Sequence, residues 1–188
     1  MKENNYDNPG FFSQYRRFPR SVEGLSAAGE WHALQKLFPD FSGKRVLDLG
    51  CGSGILSIAA LVLGASAAAA VDIDPKAVDV AYENAALNGI GRDRYTVRAG
   101  NVLTDGALVA ELARQKYALV LANIVADVII PLAPMVSQLM DPQGTFLCSG
   151  IIDTRAGEVE AALERNGLAV FERREQNGWV ALAARAAR

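Results

Sequence analysis

The sequence is short of the residues on which many chemistries depend. It holds one histidine, His32, and two cysteines, Cys51 and Cys148, among 188 residues. A single imidazole beside Trp31 supports neither a triad nor a histidine metal site. Two thiols far apart in sequence, without Cys-x-x-Cys spacing, give no zinc centre and no disulfide framework. No metal is therefore expected, and a reducing compartment fits best. Charge of one sign is also missing: 19 basic and 21 acidic residues leave a net charge of −2. That excludes the strongly basic footprint of a dedicated nucleic-acid binder. With 51% hydrophobic residues, it also excludes a disordered tail, which combines low hydrophobicity with high net charge. A long apolar run is absent as well. The best stretch, Ile55–Val71, is broken by Ser57, Gly64 and Ser66 and falls short of the ~20 residues of a membrane span. Met1–Asp7 is polar, without the apolar core of a signal peptide. The expectation is a cytoplasmic protein with no membrane partner, of a length suited to one domain.

What is present is alternation. Residues 1–20 are polar and aromatic, with Phe11, Phe12, Tyr15 and Phe18 among Arg16, Arg17 and Arg20, and read as an arm. Ser21–Phe38 has helical apolar spacing and stops before Pro39. From Lys44 onward strands and helices take turns. Strands are predicted at Arg45–Leu49, Ala67–Asp72, Tyr95–Ala99, Ala118–Ala122 and Thr145–Ser149. Helices are predicted at Ile55–Leu63, Asp74-capped Pro75–Leu87, Ala107–Arg114, Pro131–Met140 and Arg155–Arg165. Asp141–Gly144 reads as a turn. The alanines of the second strand have poor strand propensity, so that assignment rests on the repeating pattern. Leu168–Arg173 and Trp179–Ala183 have no helix between them and should pair as a hairpin. The predicted fold class is α/β: a Rossmann-like, doubly wound, seven-stranded sheet, mostly parallel, with a C-terminal antiparallel hairpin strand.

The first strand runs into Val46-Leu-Asp-Leu-Gly-Cys-Gly-Ser-Gly54. Glycines after a first strand let the backbone approach a ligand closely. The spacing is Gly-x-Gly-x-Gly, not the dinucleotide Gly-x-Gly-x-x-Gly. Asp48 precedes the turn inside the strand, where a carboxylate repels a diphosphate and attracts a ligand with an ammonium group. Twenty residues after Gly52, Asp72 ends the second strand, where a carboxylate can accept ribose hydroxyls. These features favour S-adenosylmethionine over NAD.

Val46–Gly54 together with Val71-Asp72-Ile73-Asp74-Pro75 resembles the class I S-adenosylmethionine-dependent methyltransferases. The likeness narrows downstream. Ser53–Ala60, Ile73–Gly89, Leu121-Ala-Asn-Ile-Val-Ala126, Ser149–Ile152 and Asn177–Leu182 resemble the catalytic domain of the PrmA family, bacterial enzymes that methylate amino groups of a large-subunit ribosomal protein. This likeness covers residues 44–188. Residues 6–52 instead resemble the N-terminal arm of small single-domain class I methyltransferases. The separate substrate-recruiting domain and threonine-rich cofactor loop that the PrmA resemblance implies are not visible, so the chain reads as a hybrid, natural or engineered. The expected organisation is residues 1–43 as an arm and helix covering the cofactor, and residues 44–188 as the S-adenosylmethionine-binding domain.

Methyl transfer from a sulfonium needs a positioned, desolvated, neutral nucleophile. An amide oxygen and a backbone carbonyl can hold the hydrogens of an amine without taking a full proton. Asn123, after the fourth strand, and the carbonyl of Ile124 are therefore the expected catalytic pair. The resemblance implies the same position, and a plain turn cap is the alternative. The expected cofactor-binding residues are Asp48, Gly50, Cys51, Gly52, Gly54, Asp72, Ile73, Asn101, Val102 and Asn123, with Tyr15 and Arg16 from the arm. By resemblance Asn101 meets the adenine amino group, although a turn role suits it equally. Asp127 reads as a helix cap. The expected function is S-adenosylmethionine-dependent N-methylation of protein amino groups. A small-molecule methyltransferase and a binding-only or engineered cofactor scaffold are the rivals. The acceptor partner is thus a protein or a small molecule, and the sequence leaves the oligomeric state open.

Overall fold

The computed structural model describes residues 40–187. The expected arm and its helix, with Tyr15, Arg16 and His32, lie outside the described residues. From Arg45 the chain alternates as expected. In order come β1 (Arg45–Leu49), α1 (Ile55–Val62), β2 (Ala67–Asp72), α2 (Pro75–Leu87), β3 (Tyr95–Ala99), α3 (Gly106–Ala113) and β4 (Tyr117–Asn123). There follow α4 (Ala126–Leu139), β5 (Met140–Ile152), a 3-10 turn at Asp153–Arg155, α5 (Ala156–Arg165), β6 (Leu168–Gln176) and β7 (Trp179–Ala186). The seven strands lie in the order β3-β2-β1-β4-β5-β7-β6. β1 to β5 pair in parallel, and β7 runs antiparallel to both β5 and β6.

The two faces of the sheet follow from the two-residue period of β1. Leu47 and Leu49 join the cluster built on α4, α5 and Phe146. Val46 joins the cluster of Ile58, Leu61, Tyr95 and Val97 with α1 and α2. Asp48 shares that second face, under α1. Alanine is tolerated in β2 because the strand lies between β1 and β3, paired on both edges. Its buried Ala68 and Ala70 share a cluster with Ala81 and Ala85 of α2, and small residues let helix and strand approach closely. The turn Asn177-Gly178 has both residues at positive φ, 53° and 78°, which is the two-residue hairpin geometry that suits twisted antiparallel strands.

Most element boundaries shift by one to three residues from the sequence reading, and two differ by more, each beside a proline. Pro131 was expected to open a helix. Instead α4 starts at Ala126 and runs through Pro131 and Pro134. Proline inside a helix removes an amide bond and crowds the preceding turn. Here both rings lie on the exposed face, where water can satisfy the freed carbonyls. Burial of Ala126, Ile129, Leu132, Ala133, Val136 and Leu139 on the other face holds the helix together, and that apolar period began five residues before the proline. The expected turn at Asp141–Gly144 falls within β5. There the β4–β5 register slips between Tyr117 and Leu119, so the four residues bulge while the strand continues.

Because Pro131 removes a hydrogen bond on an exposed face, Pro131→Ala should stabilise the fold by roughly 2 kcal/mol. This is the ~3 kcal/mol helix-interior penalty less the unfolded-state entropy that proline removes. The check is the midpoint of urea unfolding. A lower midpoint would mean that the ring shapes α4 against the sheet.

Candidate cofactor and acceptor site

At the carboxyl ends of the central strands, β1 and β4 are neighbours but their following helices lie on opposite faces of the sheet. Such a reversal opens a crevice in which ligands of doubly wound sheets bind. The glycine turn forms one wall. Gly50 and Cys51 both donate their amides to the Val71 carbonyl, at 2.8 and 3.1 Å. The Gly52 amide donates to Asp72 Oδ2 at 2.7 Å, and Asn84 of α2 donates to the Ser53 carbonyl at 2.9 Å. Asp72 Oδ1 accepts the Asp74 amide at 2.9 Å. Each carboxylate oxygen of Asp72 keeps a further lone pair, so the group can bind hydroxyls while still bracing the turn. Ile73, beside it, is 71% exposed, an apolar surface at the mouth of the crevice.

Asp48 sits beneath the turn and is almost fully buried. Its Oδ2 accepts the Ser57 hydroxyl at 2.6 Å and the Ser57 amide at 3.2 Å. Ser57 Oγ also lies 3.1 Å from Tyr95 Oη. Asp48 Oδ1 has no partner among the described residues. Burial pushes the Asp48 carboxyl above its ordinary value, the Ser57 hydrogen bonds oppose that, and the Asp72 charge adds to it. A buried anionic oxygen without a partner is costly, and a cationic ligand group would compensate it.

Not every expected cofactor residue faces the crevice. Cys51 is buried in the α1–α2 core; burial and the nearby Asp48 and Asp72 charges push its thiol to about 12, which rules out a thiolate role at neutral pH. Gly54 is also buried, and a Cβ there would lie 2.7 Å from Tyr95 Oη, so it serves helix packing. Asn101 Oδ1 accepts the Leu103 amide at 3.0 Å, the turn role named as the alternative. Val102 packs against the larger core cluster. Asp127 is not a cap: Val125 holds that position, and Asp127 pairs with Arg155 at 2.9 Å.

Across the crevice, β4 ends at Asn123 and the chain turns through Ile124. The Ile124 side chain rests on the glycine turn, where a Cβ on Gly50 would lie 2.5 Å from Ile124 Cγ2. The Ile124 amide donates to the Ser149 carbonyl at 3.1 Å, and the Asn123 amide nitrogen donates to Ser149 Oγ at 2.6 Å. A Cβ on Gly150 would lie 3.0 Å from the Ile124 oxygen. An open groove of about 920 Å³, lined by Asn123, Ser149, Gly150, Arg174, Gln176 and Trp179 among others, leads away from this loop along the β6–β7 hairpin. The sequence reading found Asn123 and Ile124. It did not assign roles to Ser149, Gly150 or Ser57, whose signal was only a Ser-Gly pair ending a strand and a serine in an apolar helix. No cluster of metal-ligating side chains occurs among the described residues. No helix among them is long and apolar enough to cross a membrane.

Comparison with known proteins gives this architecture relatives. The family model of Ribosomal protein L11 methyltransferase (PrmA) matches residues 31–187, beginning upstream of the Lys44 boundary expected from sequence. Ribosomal protein L11 methyltransferases of Desulfitobacterium hafniense and Pelotomaculum thermopropionicum are each 48% identical. The first aligns over 75% of this chain and 42% of its own length, the second over 76% and 44%. The chain thus spans less than half the length of these curated relatives. The crystal structure of a ribosomal protein L11 methylase from Lactobacillus delbrueckii subsp. bulgaricus superposes with a TM-score of 0.70 at 31% identity, covering 88% of this chain and 78% of that one. A TehB-like SAM-dependent methyltransferase from Corynebacterium glutamicum shares the fold, with a TM-score of 0.62 at 17% identity over 95% of this chain and all of its own. The chain belongs to the PrmA family, and through it to the class I S-adenosylmethionine-dependent methyltransferases.

Proposed function

We propose that residues 44–188 are the cofactor-binding and catalytic domain of an N-methyltransferase that transfers a methyl group from S-adenosylmethionine to amino groups of a ribosomal protein in the cytoplasm. The observation that carries this reading is the Asn123–Ile124 turn, held at the carboxyl end of β4 against Gly50 of the glycine turn. An amide oxygen and a backbone carbonyl side by side at this turn suit an amine better than a hydroxyl or carbon acceptor. The family relationship favours a protein over a small molecule as acceptor. Residues 1–43 are proposed to cover the cofactor, with Tyr15 and Arg16 as contacts, on the sequence alone.

The residues present fit the cofactor. The unpartnered oxygen of buried Asp48 suits an ammonium, the Asp72 carboxylate suits ribose hydroxyls, and the exposed face of Ile73 suits an adenine edge, with Asn101 and Val102 nearby in sequence on the β3 side. When bound, S-adenosylmethionine supplies a methyl group on a positively charged sulfur. The protein's part is to hold a neutral amine. The Asn123 oxygen and the Ile124 carbonyl accept its hydrogens without removing a proton, so the nitrogen lone pair stays free. With the lone pair free, the amine would accept the methyl group that the cofactor supplies, and the product ammonium would pass its proton to solvent. Desolvation between the glycine turn and the β4 loop raises the reactivity of that lone pair.

Four outcomes are expected. Asp72→Ala should weaken S-adenosylhomocysteine binding at least about tenfold by calorimetry, roughly 1.4 kcal/mol. Asn123→Ala should keep that affinity and lose most transfer of a tritiated methyl group to a ribosomal protein extract. Full activity in that variant would remove the amine reading. Cofactor affinity should fall as acidity protonates Asp48 through its raised pKa, since only the carboxylate attracts the ammonium. Asp48→Asn should bind more weakly at neutral pH and lose that dependence, and a retained slope would move the titration to another group. Deleting residues 1–20 should likewise weaken binding about tenfold; unchanged affinity would remove the cover.

A further inference from the structure

The carboxamide of Asn123 can sit two ways round. A half-turn of the group exchanges its oxygen and its NH₂, and only one arrangement offers an acceptor to an amine. An NH₂ turned toward the same point would repel the amine hydrogens. Something must choose between them, because the group is exposed and lies beside the open groove.

The end of β5 supplies the choice. Asn123 and Ser149 are register partners in the parallel β4–β5 ladder, and the Asn123 amide nitrogen donates to Ser149 Oγ at 2.6 Å. A hydroxyl can accept or donate; here it accepts from the NH₂, which sets that end of the carboxamide against β5 and the oxygen on the other side. The same two residues of β5 fix the second acceptor. The Ser149 carbonyl takes the Ile124 amide at 3.1 Å. Gly150, at φ 79°, lets the Ile124 carbonyl approach to a distance that a Cβ would close to 3.0 Å. Ser149 and Gly150 are free to do this because the β5–β7 pairing slips between Cys148 and Ile151. A bulge of this kind turns side chains out of the ladder and re-aims them.

We infer that Ser149 is a positioning residue for methyl transfer: its hydroxyl holds the Asn123 carboxamide with the oxygen toward the acceptor amine. This rests on the amine-methyltransferase reading and adds to it the group that makes Asn123 an acceptor of hydrogen bonds and not a donor. Ser149 acts through Asn123 and touches neither substrate nor cofactor in this account.

The test uses the full chain with Ser149→Ala, Ser149→Thr, Asn123→Ala and the double variant Ser149→Ala/Asn123→Ala. Turnover is followed as tritiated methyl transfer to a ribosomal protein extract, and cofactor affinity by calorimetry with S-adenosylhomocysteine. Ser149→Ala should lower kcat about tenfold while cofactor affinity and Tm stay at the parent values. Ser149→Thr, which keeps a hydroxyl, should recover most of the loss. The double variant should be no slower than Asn123→Ala alone, since the serine has nothing left to orient. Normal kcat in Ser149→Ala beside an impaired Asn123→Ala, or multiplicative losses in the double variant, would overturn the role of Ser149 alone. Normal kcat in Asn123→Ala would instead overturn the amine reading beneath it. A measurement independent of turnover is the side-chain amide pair of Asn123 in a ¹⁵N spectrum, assigned as the pair absent from Asn123→Ala. One of its two protons should be shifted and slowed in exchange by the bond to Ser149 and lose both features in Ser149→Ala. A pair unchanged by Ser149→Ala would also overturn the proposal.

Discussion

Ile124 is held on two sides by residues that have no side chain. Its Cγ2 stands where a Cβ on Gly50 would be, and its backbone stands against Gly150. Both glycines have positive φ, 74° and 79°, a region that other residues enter at a cost. Through this contact the loop after β4 is fixed to the turn after β1, across the reversal in helix direction where the sheet opens. The turn after β1 and the loop after β4, the proposed cofactor and acceptor sides, are therefore one construction. If the turn after β1 moves, Ile124 must move, and Asn123 moves with it.

The acidic residues of the site divide the electrostatic work by depth. Asp72 is partly exposed and already accepts two backbone amides, so its charge is met by the turn that it braces. Asp48 is deep, has one oxygen engaged by Ser57 and the other unpartnered, and lies in the field of Asp72. The fold carries a cost at Asp48 that a ligand with a positive charge would remove. Such an arrangement would disfavour anions before any shape is read, so a glycine turn of the same general form need not bind a dinucleotide.

Much of this was legible in the sequence because it depends on local chemistry. Asp74 before Pro75 marks the start of α2, and its side chain does accept the Lys76 amide. The two last strands were expected to form a hairpin because no helix separates them, and β2 was found from the alternating pattern although its alanines argue against a strand. What local rules misplaced was the start of α4. A proline was read as a boundary, while the apolar period from Ala126 showed the longer helix. Burial along a whole helix face outweighed one lost hydrogen bond on the solvent side.

The site was legible to the degree that its residues are consecutive. Val46–Gly54, Asp72–Asp74 and Asn123-Ile124 each announce themselves within a few positions. Ser149 does not, because its role comes from the parallel register that sets it beside Asn123, across the whole of α4. Parallel strands meet only through a crossover, so a hydrogen bond between their ends has no local spacing in the chain. The same holds for Ser57, whose bond to Asp48 depends on α1 folding back over β1, and for Gly150 under Ile124. In this fold the groups that would meet cofactor and amine sit at the ends of strands, where a motif can show them. The groups that orient them come from the next strand or the covering helix. Sequence motifs therefore name the first set and register supplies the second.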